Sequence, residues 1–214
     1  PPRSTPKPSS AASDVYKRQA KDILDNPSGN KTEVNISTVT PTATPTLAPD
    51  TASLFFKIKF QGINHQASDK EVKVVLKQNG QIAASFDHVS LSSDADGIYS
   101  GIIEAITPGT YEVYVKGWVH LQKRLGSLTL TAGGRQERDW SQIELLAGDI
   151  TGHSQSEPDN KIDGADYAVF ADLFNPFEEA PAGTKADFDD NGYVDGGDYA
   201  LLAGNFDPFG GGDE

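Results

Sequence analysis

The chain contains neither cysteine nor methionine. Without cysteine there is no disulfide, no thiol nucleophile and no zinc thiolate site, and the redox compartment stays open. A first residue of Pro1 and the lack of methionine lead to the expectation that this is an internal or C-terminal piece of a longer reading frame. A missing signal peptide therefore says nothing about export. No run of about 18 apolar residues occurs, which excludes a helical membrane span. Basic side chains are scarce, with 18 Lys and Arg against 31 Asp and Glu, a net charge of −13. Such a balance argues against a nucleic-acid partner, whose phosphates require cations. A length of 214 residues leaves room for one or two domains.

The negative charge is not spread evenly. Residues 149–214 hold 16 Asp and Glu and two lysines, Lys161 and Lys185, while the remaining 148 residues are net +1. Like charge at that density opposes folding unless a cation is bound. A solvated acidic tail is the plain reading of such a block. Yet the block also carries Phe170, Leu173, Phe174, Phe188, Leu201, Leu202 and Phe206, at spacings that can build a small core.

Residues 1–19 lack periodicity, and SAASDVYKRQ resembles translated sequencing-adapter read-through, so they are set aside as an artefact. Residues 31–37 read as the last strand of an upstream domain, and Asn30 and Asn35 open two sequon-like tripeptides of little weight. Thr38 to Pro49, TVTPTATPTLAP, has proline at every fourth position and reads as an extended linker. Residues 51–147 read as an all-β sandwich of seven short strands: 53–60, 70–78, 81–86, 97–105, 110–118, 127–132 and 139–145. Asn79-Gly80 supplies a hairpin turn between the second and third. In the fifth, Tyr111, Val113 and Val115 share one face, and Glu112, Tyr114 and Lys116 the other.

The acidic block contains a duplication. KIDGADYAVFADLFNPF (161–177) aligns with YVDGGDYALLAGNFDPF (193–209) at an offset of 32, with nine identities in seventeen positions. Ahead of the second copy, Asp187, Asp189 and Asn191 occupy positions 1, 3 and 5 of a twelve-residue loop. Gly192 stands at 6, the Tyr193 carbonyl at 7, Asp195 at 9 and Asp198 at 12. Calcium takes about six to eight hard oxygens, and this spacing wraps them round one point with glycine at the bend. The first loop fits with Asp149 at 1, Asp159 at 5, the Lys161 carbonyl at 7, Asp163 at 9 and Asp166 at 12. Asn160 replaces the bend glycine, six extra residues lie within Thr151 to Pro158, and Thr151 is the nearest candidate for position 3. Val194 and Ile162, at position 8 of each loop, are expected to pair with each other. Val169, Phe170, Leu173 and Phe174 lie on one face of an exiting helix. No helix is expected before either loop: APAGTKA (180–186) is a poor helix former and ELLAG (144–148) is too short.

Paired calcium loops with only the exiting helix, and Asp at position 12, resemble the dockerin family. LLAGDI and DFDDNGYVDGGDYALL match its signature, with Ala186 where glycine is usual. The resemblance covers 149–209 and implies two calcium ions and non-covalent docking onto a cohesin module. It further implies that positions 10 and 11, here Gly164-Ala165 and Gly196-Gly197, face the partner, in two orientations related by a pseudo-twofold. TPGTYEVYVKG loosely resembles strands of immunoglobulin-like and transthyretin-like surface modules, which bears on architecture only.

The expected fold is multidomain: a disordered segment and linker (1–50), an all-β immunoglobulin-like sandwich (51–147) and a small all-α dockerin-like module with two calcium loops (148–214) packed rigidly against it. Other readings are weaker. Asp163/Asp166 and Asp195/Asp198 can serve as helix caps, but capping leaves Asp187, Asp189, Asn191 and Gly192 unexplained. Asp94 and Asp96 read as a solvated turn, and Glu104 and Glu112 as surface strand residues rather than a glycosidase pair. His65, His88, His120 and His153 have no ligand spacing, and Trp118, Tyr114 and Tyr99 read as core filling rather than a sugar platform. The chain is expected to be a non-enzymatic monomer from outside the cell or its surface, part of a polysaccharide-degrading assembly. A calcium-stabilised end module with no cohesin partner, or the tail of a polysaccharide-degrading enzyme, are the alternatives. Two sites binding at about 10 μM in millimolar calcium would together add about 5 kcal/mol, comparable to the net stability of a small domain. Chelation is therefore expected to lower the far-UV circular dichroism helix signal and calcium to restore it; a spectrum indifferent to EDTA contradicts this.

Overall fold

The structure is a computed structural model that describes residues 50–152 and 158–214. The N-terminal segment, the linker, both sequons, His153 and the greater part of the first loop's insertion lie outside the described residues. Seven strands come first: β1 Ala52–Phe60, β2 Lys70–Gln78, β3 Gln81–Ser93, β4 Ile98–Ile106, β5 Gly109–Gly117, β6 Lys123–Leu130 and β7 Arg135–Leu145. Two short helices follow, α1 Gly164–Leu173 and α2 Gly196–Gly204.

The strands hydrogen-bond in the order β6-β5-β2-β3-β4-β1-β7. All neighbours are antiparallel except β1 and β7. β3 belongs to both halves of this ribbon, pairing with β2 up to Leu91 and with β4 at Ser92 and Ser93. The ribbon curls until β6 meets β7 and β1. Alternation in β1 places Leu54, Phe56, Ile58 and Phe60 inside, where they meet Val72, Val74, Leu76, Tyr99, Val113, Val115 and Leu128.

The sequence expectation ended β3 at 86, and the strand instead runs on to Ser93. Asp87 and His88 break the polar alternation because they form a bulge, with Val72 opposite Val89 but Val74 opposite Phe86, and His88 at φ 57°. β6 and β7 likewise begin earlier than expected, at Lys123 and Arg135, because polar edge residues still find ladder partners. Tyr114 and Tyr99 are buried as expected, Tyr114 on the strand face opposite the buried Tyr111, whereas Trp118, also expected in the core, is largely exposed.

A second apolar cluster joins Ile150, Ile162, Phe170, Ala186, Phe188, Val194 and Leu202 to Val119 and Ala147, which follow β5 and β7. Gly148 sits at φ 131° where an added Cβ would lie 3.1 Å from Ile162 and Leu202, so a side chain there is excluded twice. Phe170 stacks on Phe188 with ring centres 6.0 Å apart. The expected apolar helix face is only half used: Leu173 and Phe174 are exposed, as is Phe206, because α1 ends at Leu173 and Phe174 is its extended C-cap. No helix leads directly into the second loop: residues 174–186 are turns and irregular backbone.

The two loops do not pair through Ile162 and Val194. Each pairs instead with the segment after the other repeat's helix, Ile162 with Asp207 and Val194 with Asn175. Asp207 N donates to Ile162 O at 3.0 Å and Asn175 N to Val194 O at 3.1 Å. Asn175 and Asp207 are themselves related by the 32-residue offset. Each half thus closes the other, a reciprocity that the position-8 side chains alone do not disclose.

Phe60 is buried where β1 meets Tyr99 and His120, at centroid distances of 4.8 and 4.4 Å. Phe60→Ala is expected to cost about 3–5 kcal/mol, read as a lowered urea midpoint at an unchanged slope.

Candidate metal centre

Asp198 organises the second loop. It is fully buried in the first turn of α2. Its Oδ1 accepts from Phe188 N (2.6 Å) and Asp189 N (3.3 Å), and its Oδ2 from Asp195 N (3.0 Å). Asp187 closes the other end, accepting from Asn191 N (3.1 Å) and Gly192 N (3.0 Å). Asn191 Oδ1 accepts from Tyr193 N at 2.8 Å. Gly192 at φ 89° makes the bend. These bonds draw carboxylate oxygens of Asp187, Asp189 and Asp198 within 4.8 Å of one another.

The first loop repeats this wiring around its insertion. Asp166 Oδ1 accepts from Ile150 N (2.7 Å) and Thr151 N (3.0 Å), and Oδ2 from Asp163 N (2.8 Å). Asp149 accepts from Asp159 N (3.1 Å) and Asn160 N (3.0 Å), and Asp159 from Lys161 N (3.1 Å). Thr151 therefore holds the backbone place of Asp189, and Asn160, at φ 70°, that of Gly192. Capping boxes are present at both helices, with Asp163 and Asp195 as N-caps and Asp166 and Asp198 at N3. Capping and loop closure are thus tasks of the same four carboxylates.

Electrostatics separates the two loops. Burial pushes the Asp198 carboxyl up to about 6, with the Asp189 charge adding to the effect against the backbone donors. Burial also raises Asp187, and the charges acting on it are those of Asp190 and Asp189, both of its own sign. In the first loop burial raises Asp149 to about 6 and outweighs the opposing Lys116 ammonium. Burial raises Asp166 as well, against three backbone donors. Lys116, from β5, forms an ion pair with Asp149 Oδ2 and donates to His120 O at 3.0 Å. Sequence reading put Lys116 on the strand face opposite Tyr111, Val113 and Val115 and missed this role, since no local pattern links it to Asp149.

The donor chemistry of the second loop fits a hard divalent cation: three carboxylates converge, and an amide oxygen stands at position 5. Among the described residues the first loop gathers no such carboxylate triple. Asp190, at φ 58° between ligand positions, faces the sandwich and accepts from Ser68 N (2.8 Å) and Lys70 Nζ (2.6 Å). Burial alone would raise its carboxyl, but those bonds and the Lys70 charge hold it below its ordinary value. Further ties bind the module to the sandwich: Asn205 Nδ2 to Ala147 O (2.8 Å) and Gln61 Oε1 (2.5 Å), and Gln122 N to Asn160 Oδ1 (2.6 Å).

His120 is buried with neither ring nitrogen hydrogen-bonded. Burial, aided by the Lys70 and Lys116 charges, holds it neutral with its pKa lowered to about 3. Glu112 pairs with Arg124, and Asp94 accepts from Asp96 N and Ile98 N within its turn.

No family model matches the chain. No curated protein matches it. Among solved structures it is similar to two type II cohesin–X-dockerin complexes from Acetivibrio cellulolyticus. An N-terminal interface mutant matches at 19% identity over 73% of this chain and 95% of that chain, with a TM-score of 0.47. A C-terminal interface mutant matches at 20% identity over 73% of this chain and 94% of that chain, also with a TM-score of 0.47. No helix among the described residues is long and apolar enough to cross a membrane.

Asp149 and Asp198 hold a proton more tightly when folded than the 3.8 of an ordinary Asp. Their protonation stabilises the metal-free fold at low pH, and that contribution is lost as pH rises through about 6. Metal-free protein is therefore expected to melt at a lower temperature at about pH 7 than at about pH 4.5, with calcium reducing the difference through Asp198. Thermal melts in EDTA and in millimolar calcium check this; a metal-free melting temperature higher at neutral pH contradicts it.

Proposed function

We propose that residues 148–214 are a calcium-dependent protein-docking module of the dockerin type, carried on the β-sandwich of residues 51–147. Calcium is assigned first to the second loop, where Asp187, Asp189 and Asp198 converge and Asn191, Asp195 and the Tyr193 carbonyl complete the twelve-residue pattern. The first loop offers Asp149, Thr151, Asp159, Asp163, Asp166 and the Lys161 carbonyl in the same order. When bound, the ion would offset carboxylate repulsion and fix the helix that each loop feeds.

The observation that carries the docking role is a matched pair of exposed aromatic sets on the two repeats. Tyr167 and Tyr199 stand on α1 and α2 with ring centres 6.5 Å apart, and Phe174, Phe177, Phe206 and Phe209 lie exposed at equivalent places after the helices. Phe177 and Phe209 are almost wholly exposed, at 91% and 99%. Apolar surface of that kind, rimmed by charge, is what a protein partner covers. Its duplication offers that partner two near-equivalent faces. The partner chemistry implied by the dockerin resemblance is a cohesin module, outside the cell or at its surface, in a polysaccharide-degrading assembly. The chain itself would act as a non-catalytic monomer.

A second reading, a calcium-stabilised end module without a cohesin, draws on Gly164-Ala165 and Gly196-Gly197, which bring almost no side chain to positions 10 and 11. Pull-down against a panel of cohesins, in calcium and in EDTA, decides between them. Capture in calcium that is lost in EDTA and weakened at least about tenfold by Tyr199→Ala supports docking. Calcium binding without capture by any cohesin supports the end module, and Asp189→Asn leaving calcium affinity unchanged would sink the metal assignment itself.

A further inference from the structure

We propose that the first loop carries its own cation: the Lys116 ammonium, delivered from strand β5, does for Asp149 what an external ion would do in the second loop. The inference rests on the calcium reading of the second loop and concerns how many ions the module takes.

The two loops share one backbone scheme. In each, the position-1 Asp accepts from the amides at positions 5 and 6, and the position-12 Asp from the amides at positions 2, 3 and 9. The amide donors to positions 1 and 12 are thus the same in both loops, and the difference that bears on a cation lies in charge. Position 3 is Asp189 in the second loop and Thr151 in the first, so one carboxylate has gone. At position 1 of the first loop, Asp149 is fully buried and paired with Lys116, whose own side chain is 20% exposed. Lys116 is held in place from its other side by His120 O at 3.0 Å. Asp149 is fixed to the same strand end by its backbone, since Asp149 N and Gly148 N both donate to Val119 O, at 3.2 and 2.9 Å. The ammonium therefore arrives on a rigid support three residues from the loop's own anchor, not on a mobile surface chain.

A buried ion pair satisfied on both partners persists because losing either charge leaves the other stranded. A divalent ion approaching Asp149 must displace this ammonium or share the carboxylate with a like charge a few ångströms away. The second loop poses no such barrier from Lys70, whose ammonium is engaged by Asp190, a residue at none of the ligand positions and turned toward the sandwich. The module is then one-half self-neutralised and one-half dependent on solution calcium. The loss of helix signal on chelation expected from the sequence is thereby assigned chiefly to α2.

Chelator-stripped protein titrated with calcium alone in a calorimeter is expected to take one ion strongly and any second at least about tenfold more weakly. Hydrogen exchange on the wild-type chain gives an independent reading. The Asp159 and Asn160 amides should be protected without calcium, and the Asn191 and Gly192 amides only with it. Lys116→Met should strip protection from Asp159 and Asn160 until calcium is added and strengthen the second ion at least about tenfold. Two ions of equal affinity in the wild type, with Asp159 and Asn160 unprotected until calcium arrives, overturn the inference while leaving the calcium reading intact. No ion at either loop overturns both. Should the Met variant fail to fold, the wild-type exchange pattern decides alone.

Discussion

Three carboxylates with no solvent exposure, Asp149, Asp166 and Asp198, sit inside a module of some 65 residues. A buried carboxylate is tolerated only when its oxygens are hydrogen-bonded and its charge is answered. The loops meet the first demand with their own backbone. Each of the three receives at least two amide donors from the turn it closes. The second demand is what the rest of the architecture serves, because residues 149–214 carry only two lysines against 16 acids.

The sandwich answers part of it. Its net charge is close to neutral, yet Lys70 of β2 and Lys116 of β5 each direct an ammonium at a loop aspartate. It also completes the module's interior, since Val119 and Ala147 belong to the second apolar cluster. Two helices of ten and nine residues bury little by themselves, and a segment of that size is marginal without a neighbour or a bound ion. Backbone ties at Val119 and Asp213 and the Asn205 contact with Gln61 make that neighbour a fixed one. Packing and countercharge thus reach the loops through the same strand ends.

Much of this was legible wherever the determining contact is local. The twelve-residue spacing from Asp187 to Asp198 dictates which amides meet which oxygens, so the loop could be read from eleven steps of sequence. Asn160 as the bend residue follows from its tolerance of positive φ. Strand β1 is written in its alternation. What was not legible depends on contacts remote in the chain. Lys116 lies 33 residues from Asp149. The crossed pairing of Ile162 with Asp207 and Val194 with Asn175 is set by how the repeats face each other, not by either repeat's pattern. Leu173, Phe174 and Phe206 read as core because periodicity cannot say where a helix stops: Leu173 is the last residue of α1, Phe174 and Phe206 lie beyond the helix ends, and all three are exposed.

The crossed pairing has a further consequence for the duplication. Position 8 of each loop is fastened to the exit of the other helix, so neither repeat is complete without its twin. Identical halves would respond to a cation identically. These halves have kept one hydrogen-bond scheme while diverging at position 3 and at the countercharge of position 1. A cation entering the second loop would firm α2 directly, and through Val194 and Asn175 it would bear on the end of α1 as well. On that proposal, the half that holds its own ammonium would be the template against which the cation-dependent half orders, and one binding event would then bear on the exposed aromatic residues of both helices.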